Sequence, residues 1–491
     1  MVGKRKPQQV SFDTPVIAAP ATRARELLRA INELVDFEFV RELAAPYFAQ
    51  GGRPSVDPVV MIRMMLIGYL FGIESDRRLV DECADRLSFR EFLGYLTDEP
   101  LPVHASFTHW RQRLGPEFFR EVLHEIVRQC QGRGMKLSLA RCVDGTRVKA
   151  QASRGGPVVE VPRDANVQEY LEEYFAHDPP PEPDGPPEPD DDARGDDGPG
   201  AVDTVPINTH DPDARLNKRK GEPARFEYNA SLASDPETGL VTDTDANPRE
   251  QAATSIEHID HEPGAVNEFA GDALYDHADT LAALQERGVT CYVPEPARPS
   301  EALMGKDQFR YDPERDVYIC PAGKTLKCSR YHKQRRAHFY TARVSDCKRC
   351  PLKSRCTTAD RRSVSRLVNE PARAATVRAG PRFEHLQRRR WVNEHLNMLG
   401  KRDHGLSRAR GLGLAAMRIQ VALTGAAIDL KKLVHFARAL PDLLAAPAGI
   451  AIALCAPIRH LWRTLRAIAL TIPDQPTLHP NTQPTSPGAA S

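Results

Sequence analysis

Apolar residues recur at helical spacing from residue 22 to about 135, then change to short strand-like runs from Leu137 onward. In the first stretch, DPVVMIRMMLIGYLFGI is an apolar body opened by Asp57 and Pro58, a cap and first-turn pair. Ser75 is expected to cap a second helix, SDRRLVDECADRL, and Ser88 a third around Phe89, Phe92 and Leu93. Ser106 is expected to open a fourth, SFTHWRQRLGPEFFREVLHEIV. Short helices joined by tight turns, one of them carrying His109, Arg111 and Arg113, suit two readings. One is helix-turn-helix DNA binding; the other is a plain bundle with solvated arginines.

The strand-like half begins with KLSLARCVDG, which predicts a strand up to Asp144, the turn-forming Gly145, and an irregular segment after it. RFEYNASLASD and GLVTDTDAN predict two more strands, with DPETG as the hairpin turn between them. A helix is expected within 249–262 (QAATSIEHIDH), a fourth strand over Val266–Asp272, a helix in DTLAALQERG and a fifth strand in VTCYVPEP. Three strands, helix, strand, helix and strand make a mixed five-stranded α/β sheet, in the order of a ribonuclease-H-like core. That order sets the first and fourth strands side by side, so Asp144 and Asp272 are expected to be neighbours. Further on, GLGLAAMRIQVALTGAAIDLKKL, with Met417, Val421, Ile428 and Leu433, reads as a core helix.

At 491 residues the chain is too long for one ordinary domain. Its formal net charge of +1 hides two opposed blocks. Residues 161–210 hold 14 acidic and 2 basic residues, a balance of −12. Residues 301–420 hold 28 basic and 11 acidic, a balance of +17, which suits a polyanionic partner. The acidic block contains HDPPPEPDGPPEPDDDARGDDGPG, too poor in apolar residues to fold. It reads as a solvated linker rather than a DNA mimic lying on the basic face.

MVGKRKPQQVSF has basic residues with no apolar run behind them, unlike a secretory signal. LPDLLAAPAGIAIALCAPIRHLW is interrupted by Pro441, Pro447 and Pro457, short of the ~20 residues of a membrane span. A cytoplasmic protein with no membrane partner is expected. Five of the ten cysteines fall between 320 and 356, in CPAGKTLKC and CKRCPLKSRC, which argues against a disulfide scaffold. Cys347 and Cys350 have the spacing that lets two thiolates reach one zinc. Cys320 and Cys356 would close the site, with Cys328 as an alternative and His332 and His338 nearby. The cluster reads as a structural zinc site or as free thiols.

Three carboxylates stand in distinct settings: Asp144 in LARCVDGTRVKA, Asp272 in NEFAGDALYD and Glu394 in RRRWVNEHLNMLGK. Cleaving a phosphodiester at neutral pH needs an activated water and a stabilised leaving oxygen. Two magnesium ions about 3.5–4 Å apart do both. Such hard ions prefer carboxylate and water oxygens. Asp144 suits the bridging position; Asp272 and Glu394 would complete the shells. Arg390, four residues before Glu394, and Lys401, seven after it, share its helix face and could hold a phosphate beside a metal. An exposed Arg–Glu helical pair is the plainer alternative there.

These motifs resemble the DDE transposases of bacterial insertion sequences over about residues 20–440. DGTRVKAQASR is similar to the first-Asp motif of that family and GDALYD to the second. Leu274 stands where the family has Gly, and Asp276 is the alternative acid. Arg390, Glu394 and Lys401 match the signature around the Glu, with Gln387 where Tyr is usual. SDRRLVDECADRLSFREFLG and HASFTHWRQRL are similar to the helical domain that precedes many such cores. The cysteine cluster resembles an insertion found in one subgroup.

The resemblance implies an enzyme that binds the terminal inverted repeats of its element, cleaves each end and joins the freed 3′ hydroxyl to target DNA. It implies Asp144, Asp272 and Glu394 as catalytic residues and ligands of two Mg2+ or Mn2+ ions. Arg390, Lys401, Arg147, Arg111 and Arg113 are the expected contacts to double-stranded DNA, and a homodimer on DNA is expected. A domesticated or inactive DNA-binding protein and a nuclease acting without transposition are the rival readings. The expected division is a flexible N-terminus (1–21), a helical DNA-binding domain (22–135) and the first parts of the catalytic core (136–154 and 210–296). A disordered acidic insert (155–209), a basic Cys-rich insertion (297–380), the Glu-bearing and closing helices (381–440) and a tail (441–491) complete it.

Overall fold

Asp57 accepts a hydrogen bond from the Val59 amide and Pro58 occupies the first turn, so the helix expected behind them starts there. It is the third of six helices in this part of the computed structural model: α1 (Arg23–Leu34), α2 (Phe39–Ala44), α3 (Pro58–Leu70), α4 (Asp76–Asp85), α5 (Leu87–Leu93) and α6 (Ala105–Gly132). The structure describes residues 3–4, 22–49, 51, 55–152, 156–163, 165–176, 204–219, 221–248, 254–296, 303–333 and 336–439. The expected N-terminal arm, most of the acidic insert and the tail lie outside them. Ser75 caps α4 through the Arg78 amide. Ser88 and Ser106 do not cap; α5 follows Arg86 and α6 follows His104, neither with a side-chain cap. Inside α6, Gly115 takes φ +71°, which admits the kink that the following Pro116 requires.

The chain then enters a sheet through β1 (Ala140–Lys149), followed by β2 (Val158–Pro162), α7 (Val167–Ala176), β3 (Thr204–Asn208), β4 (Arg215–Asn217), β5 (Arg225–Ser234) and β6 (Val241–Asn247). After these come α8 (Thr254–His261), β7 (Glu268–Ala270), α9 (Ala278–Glu286) and β8 (Thr290–Tyr292). β5 pairs antiparallel with both β1 and β6, and the short β4 extends the same edge. β7 runs parallel to β1, and β8 parallel to β7. The order across the sheet is therefore β6–β5–β1–β7–β8, a mixed α/β arrangement with β1 at its centre.

Two expectations need correcting. β1 does not stop at Gly145 but pairs with β5 as far as Lys149, opposite Glu227. Gly145 serves a close approach rather than a turn: a Cβ there would lie 2.9 Å from the Asn229 side-chain amide. The segment 155–209 is also not wholly without structure. β2 and β3 pair antiparallel, and α7 closes over them around buried Val161, Leu171 and Ile207. Alternating apolar residues in VVEVP and TVPIN suffice for a small satellite core, despite the acidic composition between them.

A second sheet is built from β9 (Arg310–Asp312), β10 (Val317–Ile319), β11 (Thr325–His332), β12 (Ala337–Thr341) and β13 (Ser363–Leu367), all antiparallel. The short helices α10 (Val344–Lys348) and α11 (Lys353–Cys356) sit between β12 and β13. Then follow α12 (Glu370–Ala374), α13 (Pro381–Arg389), α14 (Trp391–Asp403) and α15 (Gly413–Ala439). Asp279 on α9 holds this lobe to the main sheet, accepting from Asn369 at 2.7 Å and pairing with Arg336 at 3.1 Å.

The helical segment and the main sheet share one core. α15 buries most of its residues between Met417 and Ala437, without a break from Ile419 to Leu430, and they cluster with those of α1, α3, α6, β5 and β6. α3 is apolar on every side because it is enclosed on every side; each fully buried Leu, Ile or Met there stabilises by about 1.5–3 kcal/mol. The boundary expected near 135 thus divides the chain but not the core. Among the described residues α15 alone is long and apolar enough to cross a membrane, and most of its apolar window is buried inside the protein.

A buried ionic hub fastens α6 and α8 to β6. Asp243 accepts two bonds from Arg120, each 2.7 Å, and contacts His124 Nε2 at 2.9 Å and His258 Nδ1 at 2.6 Å. These bonds overcome the cost of burial and hold the Asp243 carboxyl well below the usual carboxylate range. His258 Nε2 lies 2.9 Å from Ser231 Oγ, so serine, histidine and aspartate follow the order of a nucleophile triad. All three are buried, however, and no substrate reaches them. The hub is structural.

Candidate active site

The register of β1 on β7 brings the first two acids together. Cys142 pairs with Ala270, so two residues further along each parallel strand stand Asp144 and Asp272. The ladder has ended by then, because the chain after β7 turns into a 3-10 helix over Ala273–Tyr275 that Asp272 caps through the Leu274 amide at 2.8 Å. Leu274, in the place of a glycine, is exposed and leaves this turn intact. Asp276, the alternative acid, is bound by Arg373 and by Arg378 (2.9 Å), with its carboxyl buried between them. It is a structural ion-pair centre, which leaves Asp272 as the acid facing Asp144.

α14 supplies the third acid. Its buried face carries Val392, Asn393, Leu396, Asn397 and Gly400, and its exposed face carries Glu394. Asn393 Nδ2 donates to the carbonyls of Cys142 (2.9 Å) and Leu232 (3.0 Å), and Ser234 donates to its Oδ1. The helix is thereby pinned across β1 and β5, two residues from Asp144. One turn on, Asn397 Nδ2 donates to Asp144 Oδ2 at 3.1 Å, while its buried Oδ1 has no partner among the described residues. Asn393→Leu is expected to leave two strand carbonyls unsatisfied and lower stability by about 2–4 kcal/mol, readable as a shifted urea midpoint.

The electrostatics follow from this packing. Burial pushes the Asp144 carboxyl up to about 6; Arg390 opposes the rise, while Asp272 and then Glu394 add to it. Asp272, Glu394 and Arg390 are thus all close enough to act on the Asp144 carboxyl. Arg390 lies 3.8 Å from Glu394. Gln387 donates to the carbonyls of Gly271 (3.2 Å) and Tyr292 (3.0 Å), tying α13 to the ends of β7 and β8 beside Asp272.

Sequence reasoning did not single out Asn393 or Asn397, and saw Gln387 only as a replacement. Two asparagines at i and i+4 on the apolar face of a helix were a legible signal, since a buried amide must find partners.

The other cations divide. Arg147 lies 3.6 Å from Glu227. Burial, with Arg219 and Lys149 adding to it and Glu227 opposing, lowers the Lys401 pKa, so Lys401 shares the same end of β1 as Arg147. Arg113 is exposed, with its guanidinium 5.1 Å above the Phe48 ring. Arg111 is engaged in both N–H directions by Asp76, at 2.7 and 2.8 Å, and joins α4 to α6. That pairing makes it a structural tie.

In the second lobe Cys320, Cys347, Cys350 and Cys356 line one cavity of about 30 Å3. Cys328 is exposed and lies outside it, 3.8 Å from His338 Nδ1. Burial, with Cys347, Cys320 and Cys350 adding to it, raises the Cys356 thiol against the influence of Arg362. Among the described residues no three His, Cys, Asp or Glu side chains are arranged to hold one ion.

Residues 18–113 match the family model of a transposase domain (DUF772), and residues 319–434 match that of a transposase DDE domain. The two matches support a DDE transposase, an enzyme that cleaves DNA. Glu394 falls inside the second match; Asp144 and Asp272 fall between the two. No curated protein matches the chain. Among solved structures it is similar to piggyBac transposase in a synaptic complex with hairpin DNA, at 10% identity and a TM-score of 0.29. That similarity covers 94% of this chain and 86% of the other, and at such a score it carries no structural argument.

Proposed function

We propose that the chain binds the terminal inverted repeats of its own element and carries out metal-dependent strand cleavage and strand transfer. Asp144, Asp272 and Glu394 would be the catalytic carboxylates of a ribonuclease-H-like core. The observation that supports this most is that Asp144 and Asp272 each stand two residues past the last paired residues of the parallel strands β1 and β7, with α14 pinned across β1 and β5. The strand order β6–β5–β1–β7–β8 supports the same core.

The donor types, carboxylates beside an amide oxygen, suit a hard divalent ion, Mg2+ or Mn2+, although among the described residues the acids are not arranged to hold one. Asp144 is a half-buried carboxylate raised by its burial and by two like-charged neighbours, and the Asn397 oxygen, without a partner among the described residues, is beside it. Bound there, the ions would supply an activated water and stabilise the leaving oxygen. Asn397 holds the Asp144 carboxylate in one orientation, and Arg390 offsets the negative charge that a phosphate would meet on approach. Lys401, Arg147 and Arg113 are the further proposed phosphate contacts. One active site per DNA end suggests a homodimer on DNA, in the cytoplasm.

The four cysteines around one cavity suit a structural Zn2+, which prefers four thiolates. The Lys324 amide already donates to Cys320 Sγ at 3.3 Å, in a tight turn where Gly323 takes φ +73°. Metal analysis of the purified chain is expected to find one zinc per molecule, absent from Cys347→Ser/Cys350→Ser. Disulfides in place of zinc would contradict this.

The functional test uses DNA carrying the inverted repeats that flank the gene. Magnesium-dependent nicking at the repeat ends, followed by joined target product, is expected. Binding without any nicking would favour the inactive DNA-binding protein; nicking without joining would favour the simple nuclease.

A further inference from the structure

The second sheet has one face on its own small core; the other exposes polar side chains around a buried Val317. Tyr318, Leu326, Tyr340 and Val364 fill the inner face. Directly opposed residues in an antiparallel sheet share a face. The outer face therefore carries the row Asp312, Val317, Lys327, Thr341 and Ser363, which crosses all five strands. Beside it run Arg330, Phe339 and Ser365, and at the near end Arg310 pairs with Ile319. Lys327, Arg330, Arg310, Ser363 and Ser365 are exposed.

The cations of this face differ from those of the main body. In the body, several arginines are engaged by acids: Arg111 by Asp76, Arg120 by Asp243, Arg382 by Glu268 and Arg418 by Asp245. On the outer face, Arg310, Lys327 and Arg330 have no acidic partner among the described residues, and Arg330 lies over the Phe339 ring at 4.8 Å. Of the acids of the lobe, Asp316 accepts from the hydroxyls of Tyr311 and Tyr340, and Asp312 from the Arg315 amide. Over 303–367 the sequence has seventeen Lys and Arg against six Asp and Glu, a surplus of eleven. Unpaired cations interleaved with hydroxyls are what a phosphodiester backbone requires: the cations release its counterions and the hydroxyls donate to its oxygens.

We propose that the outer face of the β9–β13 sheet is a second DNA-binding surface, gripping the backbone of a duplex through Arg310, Lys327 and Arg330. The surface reads no sequence; it adds affinity and holds the duplex against the lobe that Asp279 ties to the main sheet. This inference rests on the transposase reading and extends it to a part of the chain remote in sequence from the catalytic acids.

The test is a salt titration of the full chain binding a random-sequence duplex, read by fluorescence anisotropy in EDTA so that no cleavage intervenes. Every phosphate the protein no longer neutralises makes the slope of log K against log salt shallower by about 0.9. Arg310→Ala/Lys327→Ala/Arg330→Ala is expected to make that slope shallower by roughly 2–3 and to weaken binding about tenfold or more at low salt. Arg310→Lys/Lys327→Arg/Arg330→Lys should keep both. The three side chains are exposed, and an unchanged melting temperature verifies the fold of each variant. Unchanged affinity and slope in the alanine variant overturn the proposal while leaving the transposase reading in place. Failure of the unaltered chain to bind any duplex would remove both.

Discussion

Asp144→Asn is expected to lower magnesium-dependent cleavage of DNA ends by about a thousandfold or more, because several kcal/mol of transition-state stabilisation depend on that carboxylate. The same change should not harm the metal-free fold. Burial, with Asp272 and Glu394 adding to it, raises the folded pKa of Asp144 to about 6, against an unfolded value near 3.8. Between those two values the folded chain binds more protons than the unfolded chain, so stability falls as pH rises through the window. Above about pH 6 the buried charge is a cost, and the neutral amide removes it. The metal-free variant is therefore expected to be more stable than the unaltered chain at pH 7, on the order of 2 kcal/mol. Added Mg2+ should stabilise the unaltered chain above pH 6 and the variant much less. Denaturant unfolding with and without magnesium checks both points; a variant that cleaves normally would contradict the role given to Asp144.

The largest expected loss of stability lies elsewhere, at Asp243. Asp243→Ala leaves Arg120, His124 and His258 without their shared carboxylate in a dry interior. Removing one partner of a buried ion pair typically costs about 3–5 kcal/mol, and three groups are stranded here. Since the hub joins α6 and α8 to β6, the change should loosen the helical segment from the sheet. Asp243→Asn should be milder, because the amide oxygen still accepts. Hydrogen exchange over α6 and α8 reads the effect locally; protection in the alanine variant equal to that of the unaltered chain would show that the hub holds nothing.

Much of this architecture was legible in the residues. The five strands of the main sheet and the two helices between them stand close to where apolar alternation and turn residues placed them, because each strand there has a buried face. β1 runs past Gly145 for a reason no local pattern states: β5 continues to pair with it, and Asn229 needs the space a side chain would fill. The strands of the second sheet were not legible. β11, TLKCSRYH, buries only Leu326 fully and shows polar residues nearly throughout, so no apolar alternation marks it. The flanks of the acidic insert were missed because the composition of the whole window outweighed two short alternating runs.

For the site, residue type and motif pointed to Asp144, Asp272 and Glu394, and partners decided the remainder. Asp276 and Arg111 have the right chemistry for a site but are consumed by ion pairs that only the fold reveals. Asn393, Asn397 and Gln387 act through hydrogen bonds to backbone and carboxylate across 95 to 253 residues of sequence.

The most direct measurement of the central claim is a crystal structure of the chain with a DNA end and Mn2+, with the metals located by anomalous scattering. Manganese peaks bounded by Asp144, Asp272 and Glu394 are the expected result. Peaks bound only elsewhere, with Asp144 still turned to Asn397 and no metal beside it, would contradict the assignment of these three carboxylates.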